Sequence, residues 1–155
     1  PETASILARM SEGSLGRALE MEESGFLEKR REHLLALGTL QRIPQEEVLD
    51  WASRFVKKHG KEERQEEIGT LLSLWKTWYR DLLLLKVKGP EELLINEDLS
   101  HQLKIAAEAF MIESLSSSLL ALDQAEKDLV RFRNQELILE NTVLRLKQNA
   151  SAGGG

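Results

Sequence analysis

Between about Glu62 and Val87 the apolar residues recur with the period of an α-helix. Ile68, Leu71, Leu72, Trp75, Trp78, Tyr79, Leu82 and Leu83 fall on one side, while Glu66, Thr70, Ser73, Thr77 and Arg80 fall on the other. The apolar face is wide. No other stretch offers the competing signal, since none shows the period-two alternation of a half-buried strand between hairpin turns. Abundant Leu, Glu, Lys, Arg and Gln, with only three prolines, point the same way. The expected fold class is all-α, a helical bundle.

The punctuation of the remaining chain fits short helices. Residues 4–10 read as the last turns of a helix, with Gly13 in the left-handed position after a helix end and Ser14 capping a new helix that opens LGRALEM. Ser24 and Gly25 interrupt again. In FLEKRREHLLALGTL the side expected to be buried is Phe26, Leu27, Leu34, Leu35 and Leu37. Pro44 suits a first helical position, and QEEVLDWASRFVKK should stop at Gly60. Lys88, Gly89 and Pro90 end the long helix, and another begins near Asp98 or Ser100. Ile112, Leu115, Leu119, Leu122 and Leu129 then repeat at helical spacing, with Ser116 to Ser118 turned outward. A break is expected near Phe132 to Asn134, Asn134 capping the final helix QELILENTVLRLK. Residues 150–155 form a tail that is flexible by composition.

Composition narrows the function. The formal net charge is -5 and the pI about 5.4, a field that repels phosphate backbones unless basic residues are segregated onto one face. Absence of cysteine removes disulfides, thiol nucleophiles and cysteine-based zinc modules, and is compatible with a cytoplasmic protein. The longest apolar run, Leu82 to Leu85, is far short of the roughly 20 residues that span a bilayer. Because the chain opens at Pro1 with no signal segment, it reads as an excised piece of a longer polypeptide.

Catalytic patterns are missing from the chain. It carries no phosphate-binding glycine loop, no dinucleotide fingerprint, no nucleophile elbow and no HExxH. His33, His59 and His101 lack metal-ligand spacing and read as surface or end-cap residues. Glu22/Glu23, Glu46/Glu47, Glu62/Glu63 and Glu91/Glu92 are adjacent in sequence, so on a helix they diverge and read as solvated faces. The basic groups Lys29, Arg30, Arg31 and Lys57, Lys58, Lys61 are interleaved with glutamates. Trp75 and Trp78, at helical spacing, read as core anchors and not as a stacking platform for bases. The catalytic, cofactor and metal expectations are therefore all none.

The final helix carries more apolar surface than one core needs. Leu139, Val143 and Leu146 form one stripe, and Leu137 and Leu144 another about 140 degrees away. Either the helix is surrounded on all sides, or its second stripe meets a neighbouring subunit. On the second arrangement, Leu137, Glu140 and Leu144 face the partner.

Three stretches resemble a known family. ARMSEGSLGRALEM (Ala8 to Met21) is similar to the end of the AAA+ lid domain of clamp-loader ATPases, where a Gly-Ser loop opens the helix bearing the sensor-2 arginine. WYRDLLLLKVKGPEELLINEDL (Trp78 to Leu99) and RNQELILENTVLRL (Arg133 to Leu146) resemble the collar domain of the delta-prime subunits of bacterial DNA polymerase III. In the ATP-binding relatives the lid helix reads Gly-Ser-x-Arg. Here Gly13, Ser14 and Leu15 are followed by Gly16, and the arginine comes one place later at Arg17, which turns the guanidinium by about 100 degrees.

The resemblance implies a lid remnant at residues 1–23, a collar oligomerisation domain at 24–149 and the tail at 150–155. It also implies a subunit that does not hydrolyse ATP, needs no cofactor here and helps hold the clamp-loader ring together in DNA replication. Its partners would be the gamma or tau and delta subunits, with the sliding clamp and primed DNA reached only through the whole complex. No membrane is implied, and detached from its neighbours the collar surface could self-associate. Competing readings are the collar of a gamma or tau ATPase subunit, a helical DNA-binding or regulatory module, and a small all-helical enzyme. Gly16, the acidic balance and the lack of a convergent acid, base or nucleophile argue against these in turn.

Overall fold

The computed structural model describes residues 2–23, 25–131 and 134–153, and among them every regular element is helical. The elements are α1 (Glu2–Met10), α2 (Leu15–Glu23), α3 (Phe26–Leu40), α4 (Gln45–Lys58), α5 (Arg64–Lys86), α6 (Ser100–Glu108), α7 (Ile112–Arg131) and α8 (Gln135–Gly153). Two single 3-10 turns, Glu91–Leu93 and Glu97–Leu99, lie between α5 and α6.

Helix α5 is the spine of the bundle because its wide apolar face is covered from several sides. It packs against α3, α6 and α7, while α8 lies across α7 and α4, and α1 and α2 join at the α3 end. Ile68, Leu71, Leu72, Trp75, Tyr79 and Leu82 are wholly buried, as the periodicity requires. Trp78 and Leu83 sit half-buried at the edge. They meet Leu37 and Leu40 of α3, Val48 and Ala52 of α4, and Leu115, Leu122 and Leu129 of α7 in one continuous core. Aromatic contacts orient it: the Trp75 ring stacks on Trp51 with centroids 6.0 Å apart, and its indole N–H donates to the His33 carbonyl at 2.9 Å. Tyr79 meets Phe110 edge-on and its hydroxyl accepts the Gln41 amide at 3.0 Å.

Several helix ends follow their sequence signals. The Ser14 hydroxyl accepts the Arg17 backbone N–H at 3.3 Å, and the Asn134 side-chain oxygen accepts that of Leu137 at 3.0 Å. At two other ends a residue other than glycine is left-handed. Lys88 adopts φ 58 after α5, its N–H bonded to the Leu85 carbonyl, and the Gly89 N–H bonds to the Leu84 carbonyl at 2.8 Å. This is a Schellman closure with lysine in the position that favours glycine. Glu12 does the same after α1 with φ 56, and Gly13 follows it at φ 83. Helix α4 stops at Lys58, but the stop is made by an extended His59, and Pro44 stands one place before the first helical residue.

Other expectations need correction. Leu35 is exposed, and the buried side of α3 is Arg30, His33, Leu37 and Leu40, so two polar residues replace expected leucines in the covered stripe. His33 is therefore a core residue and not a surface one. Ser116 and Ser117 face outward, but Ser118 is buried and accepts the Asn149 amide at 3.2 Å. Thr77, expected on the outer side of α5, is half-buried and accepts the Asn96 amide. Helix α8 continues to Gly153, with Ala150 packed partly against the core, where a loose tail from residue 150 was expected. Ser24, Phe132 of the expected break, and the last two residues lie outside the described residues.

Candidate interaction surface

A buried polar lock braces the part of the chain that carries the collar-like words. The wholly buried Asp81 carboxylate accepts the backbone N–H groups of Ile95 (3.0 Å) and Asn96 (2.8 Å), the Asn96 side-chain amide (2.9 Å) and Arg80 (3.1 Å). Asn96, itself wholly buried, accepts Arg30 at 2.8 Å, and Arg30 forks onto both oxygens of Asp98 at 2.7 and 2.9 Å. Such a bidentate pair is directional as well as strong. Helix α1 is pinned to the same loop. Arg9 donates to the carbonyls of Glu92 and Leu94 and pairs with Glu97 at 2.9 Å. The lock therefore joins α1, α3 and α5 through the loop that precedes α6.

These residues account for the basic cluster noted in the sequence. Lys29 is held by Glu67 at 2.6 Å and Arg30 is buried on Asp98, which leaves Arg31 as the exposed cation of the three. Burial raises the Glu67 carboxyl, but the hydrogen bond and charge of Lys29 outweigh it and hold it below the usual range.

The degenerate sensor-2-like motif lies on the turn into α2. Gly13 is left-handed, Ser14 is spent on the cap, Gly16 has open space where a side chain would begin, and Arg17 is exposed. Helix α2 packs on α1 and α3, whereas α8 packs on α7 and α4, so the motif and the last helix are carried by different parts of the bundle.

On α8 the stripe Leu139, Val143 and Leu146 is buried, with Ile138 and Thr142 beside it. On one flank the Lys147 ammonium donates to the carbonyls of Leu40 (2.9 Å), Gln41 (3.3 Å) and Ile43 (2.6 Å), satisfying the C-terminal end of α3 with a cation. The three residues expected to face a partner separate. Leu137 is 47% exposed, Leu144 is half-buried against the core, and Glu140 is half-buried, its carboxyl raised by that burial and by Glu136. The last helix is thus not surrounded on all sides.

Periodicity did not reveal two features. The lock uses polar residues whose partners are far apart in sequence, although Asp81, Asn96 and Asp98 all fall inside the collar-like stretch. The other is a groove between α7 and α8, floored by Ala121 and Ala125 and crossed by Arg145. Among the described residues no group of three or more His, Asp or Glu side chains gathers to hold a metal ion, and no single helix is long and apolar enough to cross a membrane.

What the fold defines is an all-α bundle with a buried polar brace and an open face on its last two helices. A family model described as DNA polymerase III, delta subunit, C terminal matches residues 24–148, from α3 through most of α8, and the chain belongs to that family. No curated protein and no solved structure matches it.

Proposed function

We propose that this chain is the collar part, with a remnant of the lid, of a clamp-loader subunit of the delta-prime type, and that it works by holding subunits together. The observation that carries the reading is the asymmetry of α8: one stripe is sealed in the core while Leu137 stands open on the other side. Leu137 is joined by Leu120 and Val130 as exposed apolar side chains on the last two helices, and that grouping supports a contact with a neighbour. The Gly16-Arg17 order supports the delta-prime type over the ATP-binding type, because it departs from Gly-Ser-x-Arg in the residue that would reach a phosphate. On this reading the partners are the gamma or tau and delta subunits, the clamp and primed DNA are met only through the complex, and the setting is the bacterial cytoplasm.

The test is co-purification of the chain with the collar domains of gamma or tau and delta. Retention on those subunits, weakened by Leu137→Asp, is the expected result. Failure to associate with any of them overturns the reading, and nucleotide binding by the full-length subunit would reassign it to the ATPase type.

A further inference from the structure

We infer that α1 and α2 form a hinged arm, which turns at Gly25 and is latched to the rest of the bundle by Arg9. The inference goes beyond the collar reading and does not depend on it. Packing divides the chain beside residue 24, where the family match also begins. Helix α1 lies on α2 and on the turn Glu97–Leu99, and α2 lies on α1 and α3. The continuous core starts in α3, and among the described residues it takes no side chain from the arm. Two hollows lie under the arm instead. One, of 370 Å³, separates Glu2 and Thr3 from Arg31, Leu34 and Trp78. The other, of 590 Å³, separates Met10 and Arg17 from Gly69, Thr70 and Ser73 of α5, a face of small side chains that offers little apolar grip. Of the two buried apolar side chains of α1, Leu7 lies beside the hollow that α1 shares with Ala18 and Leu19 of α2, so Ile6 is the one that opening exposes.

The two ends of α2 are built differently. Between α1 and α2 the backbone N–H groups of Ser11, Glu12, Gly13 and Ser14 are all bonded, at 2.9 to 3.3 Å, and the Ser14 hydroxyl caps α2. That stitching keeps the two helices together as they move. At the other end Gly25 is exposed at φ 72, with open space where a side chain would begin, and its N–H reaches the Glu22 carbonyl only at 3.5 Å. A glycine so placed changes φ and ψ at little steric cost. The latch closes on a fixed point. Arg9 donates to the Glu92 carbonyl at 2.7 Å and to the carbonyl of the buried Leu94, and it pairs with Glu97 at 2.9 Å. All three partners belong to the loop that Asp81 holds in shape through Ile95 and Asn96. The Arg9 and Glu97 side chains are 29% and 31% exposed, so water and salt reach the pair. The anchor is rigid and the fastening is weak, which is the arrangement of a device that opens without disturbing the bundle.

The chain has no cysteine, so spin labels can be attached at Glu20→Cys and Glu113→Cys, on exposed positions of α2 and α7. At low salt one distance between them should dominate. Arg9→Ala should raise the population of a second, longer distance about fivefold or more, and Glu97→Gln, which leaves the bonds to Glu92 and Leu94, should do so to a smaller extent. Salt at about 1 M should shift the protein with Arg9 and Glu97 intact the same way. Labels at Thr3→Cys and Glu20→Cys, both on the arm, should keep one distance throughout, and amide exchange in α5, α7 and α8 should not change. A distance between the α2 and α7 labels that neither Arg9→Ala nor Glu97→Gln alters overturns the latch. A spread between the two labels on the arm also overturns the inference, because the helices then melt where they should turn. Faster exchange in α5 overturns it as well, since Arg9 would then belong to the global fold.

Discussion

Asp81 and Asn96 are joined twice: one oxygen of the Asp81 carboxylate accepts both the backbone N–H and the side-chain amide of Asn96, at 2.8 and 2.9 Å. The other oxygen takes the Ile95 N–H and Arg80. A carboxylate with no exposed surface is tolerable only because its acceptor sites are filled, and the loop it holds keeps its shape for the same reason.

Removing that carboxylate should be costly. Asp81→Ala leaves two backbone N–H groups and one N–H of the Asn96 amide without their acceptor, the other N–H keeping Thr77, so unfolding free energy should fall by about 3 kcal/mol. Asp81→Asn keeps one acceptor oxygen but turns an NH2 group toward two donors, and should lose a sizeable part of that. Urea unfolding of the two variants measures both, and an Asp81→Ala midpoint within error of the parent would contradict the lock.

Lys88 offers the opposite sign. A lysine in the left-handed position pays a steric cost of about 1 kcal/mol that glycine does not. Its N–H bond to Leu85 is a backbone bond and survives substitution. Lys88→Gly should therefore raise stability by about 1 kcal/mol, read as a higher urea midpoint at unchanged slope. No gain would mean that the lysine side chain contributes something at this turn beyond its backbone.

His33 should make stability depend on pH. Burial disfavours its charged form and lowers its pKa from 6.5, with Glu32 and Glu67 pushing the other way and His59 and Lys29 adding to the fall. Its Nε2 is buried with no hydrogen-bond partner among the described residues, and its ring lies against Phe55 at 6.0 Å. In the unfolded chain the imidazole takes up a proton near pH 6.5, while in the fold it resists until a lower pH. The contribution is thus complete above about pH 6.5 and is lost as the pH falls from there toward the lowered folded value. Urea midpoints should fall between pH 7.5 and 5.5, above the range where carboxylates titrate. His33→Leu should flatten this slope, and an unchanged slope in that variant would refute the assignment.

The two leucines of the outer stripe of α8 should behave differently. Leu137→Asp alters an exposed side chain and should change stability by no more than about 0.5 kcal/mol while reducing association with partner subunits. Leu144→Asp puts a charge at a half-buried position against the core, and should cost about 1 kcal/mol or more in the isolated chain. Thermal melts beside co-purification separate the effects, and equal destabilisation by both substitutions would contradict the geometry.

Much of the architecture was legible because helix period and capping are local properties. The face of α5, the Ser14 and Asn134 caps and the buried stripe Leu139, Val143, Leu146 all follow from side chains within a few residues of one another. Where reading by hydrophobicity failed, the partner lay far along the chain. Arg30 and His33 look like solvent residues until Asp98 and Phe55 arrive beside them, and Leu35 looks like core although the fold leaves it exposed.

The candidate surface shows the same division. A surplus of apolar side chains on the last helix can be counted along the chain, and so can the shifted arginine after Gly16. Which of Leu137, Glu140 and Leu144 remains open depends on where α4 and α7 lie against α8, and the groove exists only once α7 and α8 are side by side. Periodicity specifies which face of a helix is apolar. Only the packing of one helix on another determines how much of that face is covered, because burial is a property of the pair.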